Sequence, residues 1–401
     1  MHEQDPTEQD RAKLDQVEQD QVGPVYADHA ASTPMRLSAS VALAEMAGLS
    51  GNPSALHGAG RRARALLEDA REELAALLGA HPDEVVFTSG GSEADSIAVL
   101  RAAEQWVASR PGVLVSTIEH PAVATAVEVL GTRCATFGVD DGGHARLDEL
   151  SDRLRRHPAG PVGLVSLMLV NNEVGTVQPV ELAAEIAQRA GAWFHTDAVQ
   201  AFGHLSLDFG TLGAQLVSVS AHKVGGPVGI GALLVRRGVR LGRYGLGGVQ
   251  EAGIRSGTQM VALAAAFAAA ARQAVAEQAS QAARLRQFRE RLVIASQALG
   301  AVVVNGAEPL SPAIVNLSFE GASSDDLTFL LDQQQVFCSS GSACRAGVHG
   351  PSEVLLAMGR DADAARGGVR FSFGWSTTSA DIDRIIAALP AAVHRARAVP
   401  R

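Results

Sequence analysis

Residues 216–227 read Leu-Val-Ser-Val-Ser-Ala-His-Lys-Val-Gly-Gly-Pro, an apolar run that ends in a lysine and a glycine-rich turn. The run predicts a strand that is covered on both faces, as in a parallel sheet. Lys223 stands at the buried end of that strand, where desolvation disfavours the charged amine and lowers its pKa. Such a lysine forms Schiff bases with aldehydes, whereas a lysine that reaches solvent would carry no chemistry. The segment alone leaves both interpretations open.

Strand candidates of the same kind precede this one, and each is followed by a turn and a helical segment. They lie at 84–88, 113–117, 163–170 and 192–195, and 230–235 follows as an edge strand or an antiparallel neighbour. Strands that alternate with helices predict an α/β fold with a mainly parallel sheet.

A polar side chain follows each of the five parallel strand candidates. These residues are Ser92, His120, Asn172, Asp197 and Lys223. The carboxyl ends of parallel strands meet at one edge of a sheet, where open α/β folds bind ligands. Core packing does not explain five such groups at five successive strand ends, so we predict that they form one site.

Three of these strand ends match the chemistry of pyridoxal 5'-phosphate. The turn at 88–94, Thr-Ser-Gly-Gly-Ser-Glu-Ala, joins a strand to a helix, and its backbone N–H groups can bind a phosphate. Glycine turns before helices are common, so this motif alone does not establish a phosphate site. Asp197 could cap a helix, bind a metal, or keep a pyridinium nitrogen protonated so that the ring accepts electrons. A phosphate turn, a Schiff-base lysine and a pyridine-pairing acid together describe this one cofactor.

The rest of the chain predicts a second, smaller domain. A long helical stretch runs from 259 to about 299, and strands and helices mix evenly after it. We expect a large cofactor-binding domain at 36–275 and a small α+β domain built from 23–35 and 276–401. Residues 1–22 are polar and acidic, which predicts a disordered tail rather than a secretory signal.

The composition limits the binding partners and the cellular compartment that we expect. The 401 residues carry a formal net charge of −9, which argues against general binding to nucleic acid or anionic membranes. The longest apolar run, 260–271, is too short to span a bilayer. Three cysteines cannot build a disulfide framework in so long a chain, so we expect a cytoplasmic protein.

Cys344 is the candidate nucleophile among these cysteines. It follows a run of small residues, Ser-Ser-Gly-Ser-Ala, that predicts an exposed loop, and Arg345 would lower the pKa of its thiol. Cys338 follows an apolar strand and is expected to be packed and inert. The spacing between the two fits structural zinc sites poorly, so we predict no metal site.

Seven segments resemble the cysteine desulfurases, which belong to the class V aminotransferase group of fold-type I pyridoxal-phosphate enzymes. They are Tyr26-Ala-Asp-His-Ala-Ala-Ser-Thr-Pro34, Gly51-Asn-Pro-Ser-Ala-Leu-His57, Glu119-His-Pro-Ala-Val123, Asn171-Asn-Glu-Val-Gly175, His195-Thr-Asp-Ala-Val-Gln200, Arg255-Ser-Gly-Thr258 and Ser339-Ser-Gly-Ser-Ala-Cys344. The resemblance covers residues 25–393 and implies a seven-stranded type of sheet flanked by helices, with the cysteine loop on the small domain. Within the family, the sequence resembles the long-loop branch, which serves iron–sulfur cluster assembly and tRNA thiolation.

The resemblance also implies a role for each site residue. Lys223 would bind the cofactor covalently, His120 would stack on its ring and move protons, and Asp197 would pair with the ring nitrogen. The other cofactor contacts would come from Gln200, Asn172, Gly91, Ser92, Ser220, His222 and, from the partner subunit of a homodimer, Thr258.

Substrate handling follows from the same resemblance. Arg370, helped by Asn172, would bind the carboxylate of L-cysteine. Cys344 would take the substrate sulfur as a persulfide, leaving alanine, and pass the sulfur to an acceptor protein.

Some positions depart from the family pattern. Ser92 and Ser96 replace the usual threonine and asparagine, and Val249 stands where glycine is common. Because valine resists a positive φ, we expect the loop near Thr258 to differ. The competing interpretations are another enzyme of this fold, such as an aminotransferase or a selenocysteine lyase, and a partner-binding protein that has lost catalysis. The intact set of catalytic residues argues against the last of these.

Overall fold

The structure, a computed structural model, describes residues 23–341 and 350–399. Its strands are β1 Val25–Tyr26, β2 Val85–Thr88, β3 Gly112–Ser116, β4 Cys134–Phe137, β5 Val162–Ser166, β6 Trp193–Asp197, β7 Leu216–Ser220, β8 Gly231–Val235, β9 Val302–Asn305, β10 Ile314–Phe319, β11 Val336–Phe337 and β12 Gly368–Ser372. Its α-helices are α1 Leu37–Met46, α2 Gly58–Leu77, α3 Gly91–Gln105, α4 Pro121–Ala124, α5 Ala126–Leu130, α6 Leu147–Arg155, α7 Val180–Arg189, α8 Val261–Gln297, α9 Ser324–Asp332, α10 Glu353–Ala357, α11 Ala362–Arg366 and α12 Ser379–Arg397. The predicted tail, 1–22, and the part of the cysteine loop at 342–349, which includes Cys344, lie outside the described residues.

A seven-stranded sheet forms the centre of the large domain, in the order β2-β8-β7-β6-β5-β3-β4. Strands β3 to β7 are mutually parallel, whereas β8 is antiparallel to both β2 and β7. Strand β2 therefore runs in the same direction as β7. This confirms the predicted α/β fold with a mainly parallel sheet, and it places the ends of β2, β3, β5, β6 and β7 at one edge.

The sequence placed most strands correctly but misjudged some limits. The strand predicted at 163–170 ends at Ser166, although Leu167 and Leu169 still donate backbone hydrogen bonds to β6, at 3.1 and 2.9 Å. Of the two alternatives for 230–235, the antiparallel neighbour is confirmed, because β8 pairs with both β2 and β7 and is not an edge strand. The sequence did not predict β4.

Helices cover both faces of the sheet. Helix α3 packs against β5, β6, β7 and β8. Every residue of β2, β3, β5, β7 and β8 is buried, which explains why these strands read as nearly continuous apolar runs.

The small domain is built from two further sheets. Strands β12, β10 and β9 form an antiparallel sheet in that order, and β1 pairs in parallel with β11. Helix α8, with 37 residues, packs against α1, α2 and α12. It crosses the predicted domain boundary at 275/276, and the domain limits remain a prediction. None of the helices described here combines the length and apolarity needed to cross a membrane.

Candidate active site

A cavity of about 280 Å³ lies at the carboxyl ends of the parallel strands. All five polar residues that follow the predicted strands line it, together with Gly91, Gln200, Ser220, His222 and Arg370. The structure therefore brings ten of the predicted site residues to one place. Thr258 is exposed and does not line this cavity, and Cys344 lies outside the described residues.

Part of the cavity wall can bind an anion. Helix α3 begins at Gly91, so its first N–H groups have no partner within the helix. A Cβ atom on Gly91 would lie only 2.7 Å from Cγ2 of Val199, so glycine keeps this part of the cavity open. The buried Oγ of Ser220 has no hydrogen-bond partner in the described parts of the chain. A helix N-terminus with hydroxyl donors fits a phosphate group.

His222 stands beside this part of the wall in a neutral form. Burial, together with the positive charge of Lys223, lowers the pKa of His222 to about 4. Its Nδ1 lies 3.4 Å from Oγ of Ser32. A neutral imidazole still has one N–H group that can donate a hydrogen bond to an anion.

Asp197 and His120 also line the cavity. The carboxylate of Asp197 accepts a hydrogen bond from the Val199 N–H at 2.8 Å. Burial raises the pKa of Asp197, while His120 and Lys223 act against that rise. A protonated pyridine nitrogen would stabilise the charged carboxylate at this position, so the site fits the ring of pyridoxal phosphate as well as its phosphate.

The orientation of His120 is fixed by the helix that follows it. His120 caps α4, and its Nδ1 accepts the N–H of Ala122 at 3.1 Å. Burial lowers the pKa of His120, and the carboxylate of Asp197 opposes this shift. In the neutral ring the proton therefore sits on Nε2.

Lys223 contacts the segment that follows β1. Its Nζ donates to the main-chain oxygens of Ala30 and Ala31, the latter at 2.8 Å. The side-chain amide of Gln200 also donates to Ala30 O, at 2.8 Å. The N-terminal segment is thus part of the cavity wall, a role that the sequence interpretation did not give it.

Arg370 is buried on β12, with 2% of its surface exposed. Its Nη2 donates to Oδ1 of Asp28 at 2.6 Å, and its Nη1 donates to the main-chain oxygen of Asn172 at 2.9 Å. Further N–H groups of the guanidinium remain for an acceptor in the cavity. Sequence reasoning missed Asp28, although it lies within the motif from Tyr26 to Pro34.

Two buried carboxyl groups were also missed. Burial and the neighbouring Asp197 raise the pKa of Asp95 well above its usual range, and the same two causes raise that of Glu119 to about 8. Asp95 lines the cavity, and its Oδ1 lies 3.5 Å from Nε2 of the buried His195. Glu119 accepts hydrogen bonds from Ser116 Oγ at 3.0 Å and from the Met168 N–H at 2.8 Å. Their positions beside the glycine turn and beside His120 were the available signal.

In the loop before Thr258, the non-glycine residues with a strained backbone are not at the position that the sequence led us to expect, Val249. Positive φ values occur at Glu251 and Ala252, as well as at neighbouring glycines, but not at Val249. The Glu251 carboxylate is held by Arg71 at 2.8 Å and by the Phe87 N–H at 2.8 Å. These bonds stabilise a backbone conformation that a non-glycine residue adopts only at a cost.

Comparisons with known proteins agree with this geometry. The model of the aminotransferase class-V family matches residues 25–385. An IscS-like cysteine desulfurase of Mycobacterium tuberculosis is 44% identical over 93% of this chain and 97% of that protein. A cysteine desulfurase of Sinorhizobium fredii is 39% identical over 93% of this chain and 97% of its own length.

Solved structures lead to the same family. A NifS-like protein superposes with a TM-score of 0.86 at 31% identity, over 93% of this chain and all (100%) of that chain. SspA in complex with cysteine superposes with a TM-score of 0.75 at 31% identity, over 87% of this chain and 98% of that chain. The chain therefore belongs to the class-V aminotransferase family, as a member of its cysteine desulfurase group.

Proposed function

We propose that this enzyme uses pyridoxal phosphate to remove sulfur from L-cysteine, forming L-alanine and a persulfide on Cys344. One observation carries the proposal. In a chain 44% identical to a cysteine desulfurase, Lys223, Asp197 and Arg370 line a single cavity.

The residues that would hold the cofactor fall into two groups. Gly91, Ser92, Ser220 and His222 would bind the phosphate, while Asp197, Gln200, Asn172 and the stacking His120 would hold the ring. Bound there, pyridoxal phosphate supplies a ring that accepts negative charge from the substrate Cα. Lys223 would attach the cofactor covalently.

Lys223 is also the group proposed to take the Cα proton. The carbonyl oxygens of Ala30 and Ala31 lie within hydrogen-bond distance of Nζ. Acceptors in this position stabilise an ammonium group, so they favour Nζ once it has taken a proton. His120, whose neutral ring carries its proton on Nε2, would donate a proton to the substrate.

Sulfur transfer is assigned to Cys344 on chemical grounds. The thiolate attacks the substrate sulfur, so an S–S bond forms while the C–S bond breaks. The electrons of the C–S bond stay on carbon, which takes up a proton and becomes the methyl group of alanine. The sum is cysteine plus thiol giving alanine plus persulfide, so no external oxidant is needed.

The other two cysteines are poor candidates for this step. Burial raises the pKa of Cys338 to about 12 and that of Cys134 to about 11. Both therefore remain thiols at neutral pH, and the thiolate is the nucleophile.

The proposal extends to partners. The persulfide would pass to an acceptor protein for iron–sulfur cluster assembly or tRNA thiolation, as the IscS names of the relatives suggest. Exposed Thr258 would reach the phosphate in the partner subunit of a homodimer. A cytoplasmic location suits a thiol that must stay reduced between turnovers.

The test is alanine release from L-cysteine by the purified protein with bound cofactor. Wild type should release alanine in molar excess over enzyme, Cys344→Ala should release none, and Cys338→Ala, a matched control, should behave as wild type. Transamination by either protein without desulfuration would move the assignment to an aminotransferase on the same fold, since that reaction needs no loop thiol.

A further inference from the structure

Two of the three guanidinium nitrogen atoms of Arg370 donate hydrogen bonds to the protein. Nη2 donates to Asp28 at 2.6 Å and Nη1 to Asn172 O at 2.9 Å. Nε is buried and has no hydrogen-bond partner among residues 23–341 and 350–399. A planar guanidinium that is held at both terminal nitrogens cannot rotate, so its remaining N–H groups point in fixed directions.

Asp28 is itself held by the backbone on either side. Ala27 donates to Phe337 O at 2.8 Å and accepts from the Ser372 N–H at 2.8 Å. The Tyr26 hydroxyl donates to the main-chain oxygen of Asp28 at 3.0 Å. Asp28 therefore lies on a short segment fixed between β11 and β12, and its carboxylate offers a rigid anchor.

The charges around Arg370 single out Asp28. Glu173 also lies close enough to interact electrostatically with Arg370, but burial raises its pKa, and its carboxyl group is hydrogen-bonded to the Ser352 hydroxyl at 2.5 Å. Asp28 forms the direct ion pair, and its side chain is 23% exposed against 3% for Arg370. Without such a partner, a buried guanidinium would be costly to desolvate.

We propose that Asp28 is a positioning residue for substrate binding, which orients Arg370 so that its remaining N–H groups meet the carboxylate of the amino-acid substrate. The inference rests on the proposed role of Arg370 in holding that carboxylate. It predicts that Asp28 matters for ligands with a carboxylate and not for the corresponding simple amines.

The experiment compares L-alanine with ethylamine, which is alanine without its carboxylate, on the cofactor-loaded enzyme. Affinity is read from the absorption change of the bound cofactor, and KM and kcat are measured for L-cysteine. Asp28→Ala should weaken alanine binding and raise KM about tenfold, with kcat and ethylamine affinity within about twofold of wild type. Asp28→Asn should retain most of the affinity, because its amide oxygen still accepts from Nη2.

Controls separate this inference from its premise. Asp383→Ala removes an exposed ion pair with Arg291 on the small domain and should change nothing. If Arg370→Ala leaves alanine binding intact, the proposed role of Arg370 fails. If Arg370→Ala weakens alanine binding but Asp28→Ala does not, or if Asp28→Ala weakens alanine and ethylamine equally, the positioning role is wrong.

A double variant tests whether Asp28 acts through Arg370. In an Arg370→Ala background, Asp28→Ala should cause no further loss of alanine affinity, whereas an additional loss would contradict the mechanism. Asp28→Ser cannot span the contact to Nη2 and replaces the alanine variant if that variant does not fold.

Discussion

Replacing Gly91 by alanine tests the proposed phosphate-binding site directly. The new Cβ would lie 2.7 Å from Val199 Cγ2 and 3.6 Å from Ser220 Cβ. Carbon atoms pack at about 3.5–4.0 Å, so the first turn of α3 or Val199 must move by roughly 0.8 Å or more. Overpacking of this kind costs about 1–3 kcal/mol of folding stability. The movement also displaces the N–H groups that would bind the phosphate, so the dissociation constant for pyridoxal phosphate should rise at least about tenfold.

The matched control is Gly58→Ala. Gly58 is also the first residue of a helix, α2, but it is exposed, and the nearest atom to its added Cβ is the tip of the Arg61 side chain at 4.0 Å. This change should leave cofactor affinity unaltered and stability equal or slightly higher. Both quantities are measured on the apoprotein, by cofactor titration and by urea unfolding. Wild-type affinity in Gly91→Ala would show that the phosphate binds elsewhere.

Three further predictions concern buried titratable groups. Glu251→Ala removes the buried carboxylate that pairs with Arg71 and leaves this buried guanidinium only the half-exposed Glu68 as an acidic partner. The change should cost about 3 kcal/mol in urea unfolding at pH 7, the lower end for breaking a buried pair, whereas a loss under 1 kcal/mol would contradict the structural role of the Arg71–Glu251 ion pair. Burial raises the pKa of Glu251, but hydrogen bonds from Arg71 outweigh this effect and lower it. The stabilisation that the Arg71–Glu251 pair provides is therefore present above the unfolded-state pKa of Glu251 and is lost as the pH falls through its folded-state pKa. Burial, with the nearby Asp197, raises the pKa of Glu119 to about 8. Deprotonation of Glu119 therefore makes the folded state less stable as the pH rises from about 4.5 to 8. The melting temperature of Glu119→Gln, measured across this pH range, should lack that decline, and a profile equal to that of the wild type would refute the prediction. Alkylation by iodoacetamide at pH 8 should modify Cys344 and spare Cys338, whose pKa burial raises to about 12; peptide mass spectrometry showing equal labelling would be the contrary result.

The sheet and the cavity could be predicted because both follow from local patterns. Buried strands read as apolar runs, and a polar residue directly after each run must lie at the carboxyl edge of the sheet. His120, Asp197 and Lys223 were found in this way, one strand at a time. Strand β4, Cys134–Phe137, was missed because it is short and half of its residues are only partly buried, so its apolar signal is weak.

Contacts between distant segments could not be read from sequence patterns. Asp28 and Arg370 are separated by 342 positions and meet only because β12 passes beside the N-terminal strand. The buried carboxyl groups of Asp95 and Glu119 looked like ordinary polar residues of a helix and a loop. Their raised pKa values come from desolvation, which depends on the packed elements around them rather than on their sequence neighbours.

The segment after β1 contacts both of the groups that would handle the substrate. Ala31 O accepts from Nζ of Lys223, and Asp28 holds the guanidinium of Arg370. Asp28 and Ala31 are three positions apart, which limits the distance between their Cα atoms to about 11 Å. An amino-acid substrate must present its Cα–H to Lys223 and its carboxylate to Arg370. These two parts of the substrate are joined by a single C–C bond. Because a single short segment anchors both groups, a shift of the small domain against the large one would carry Arg370 away from Lys223 only if this segment also gave way.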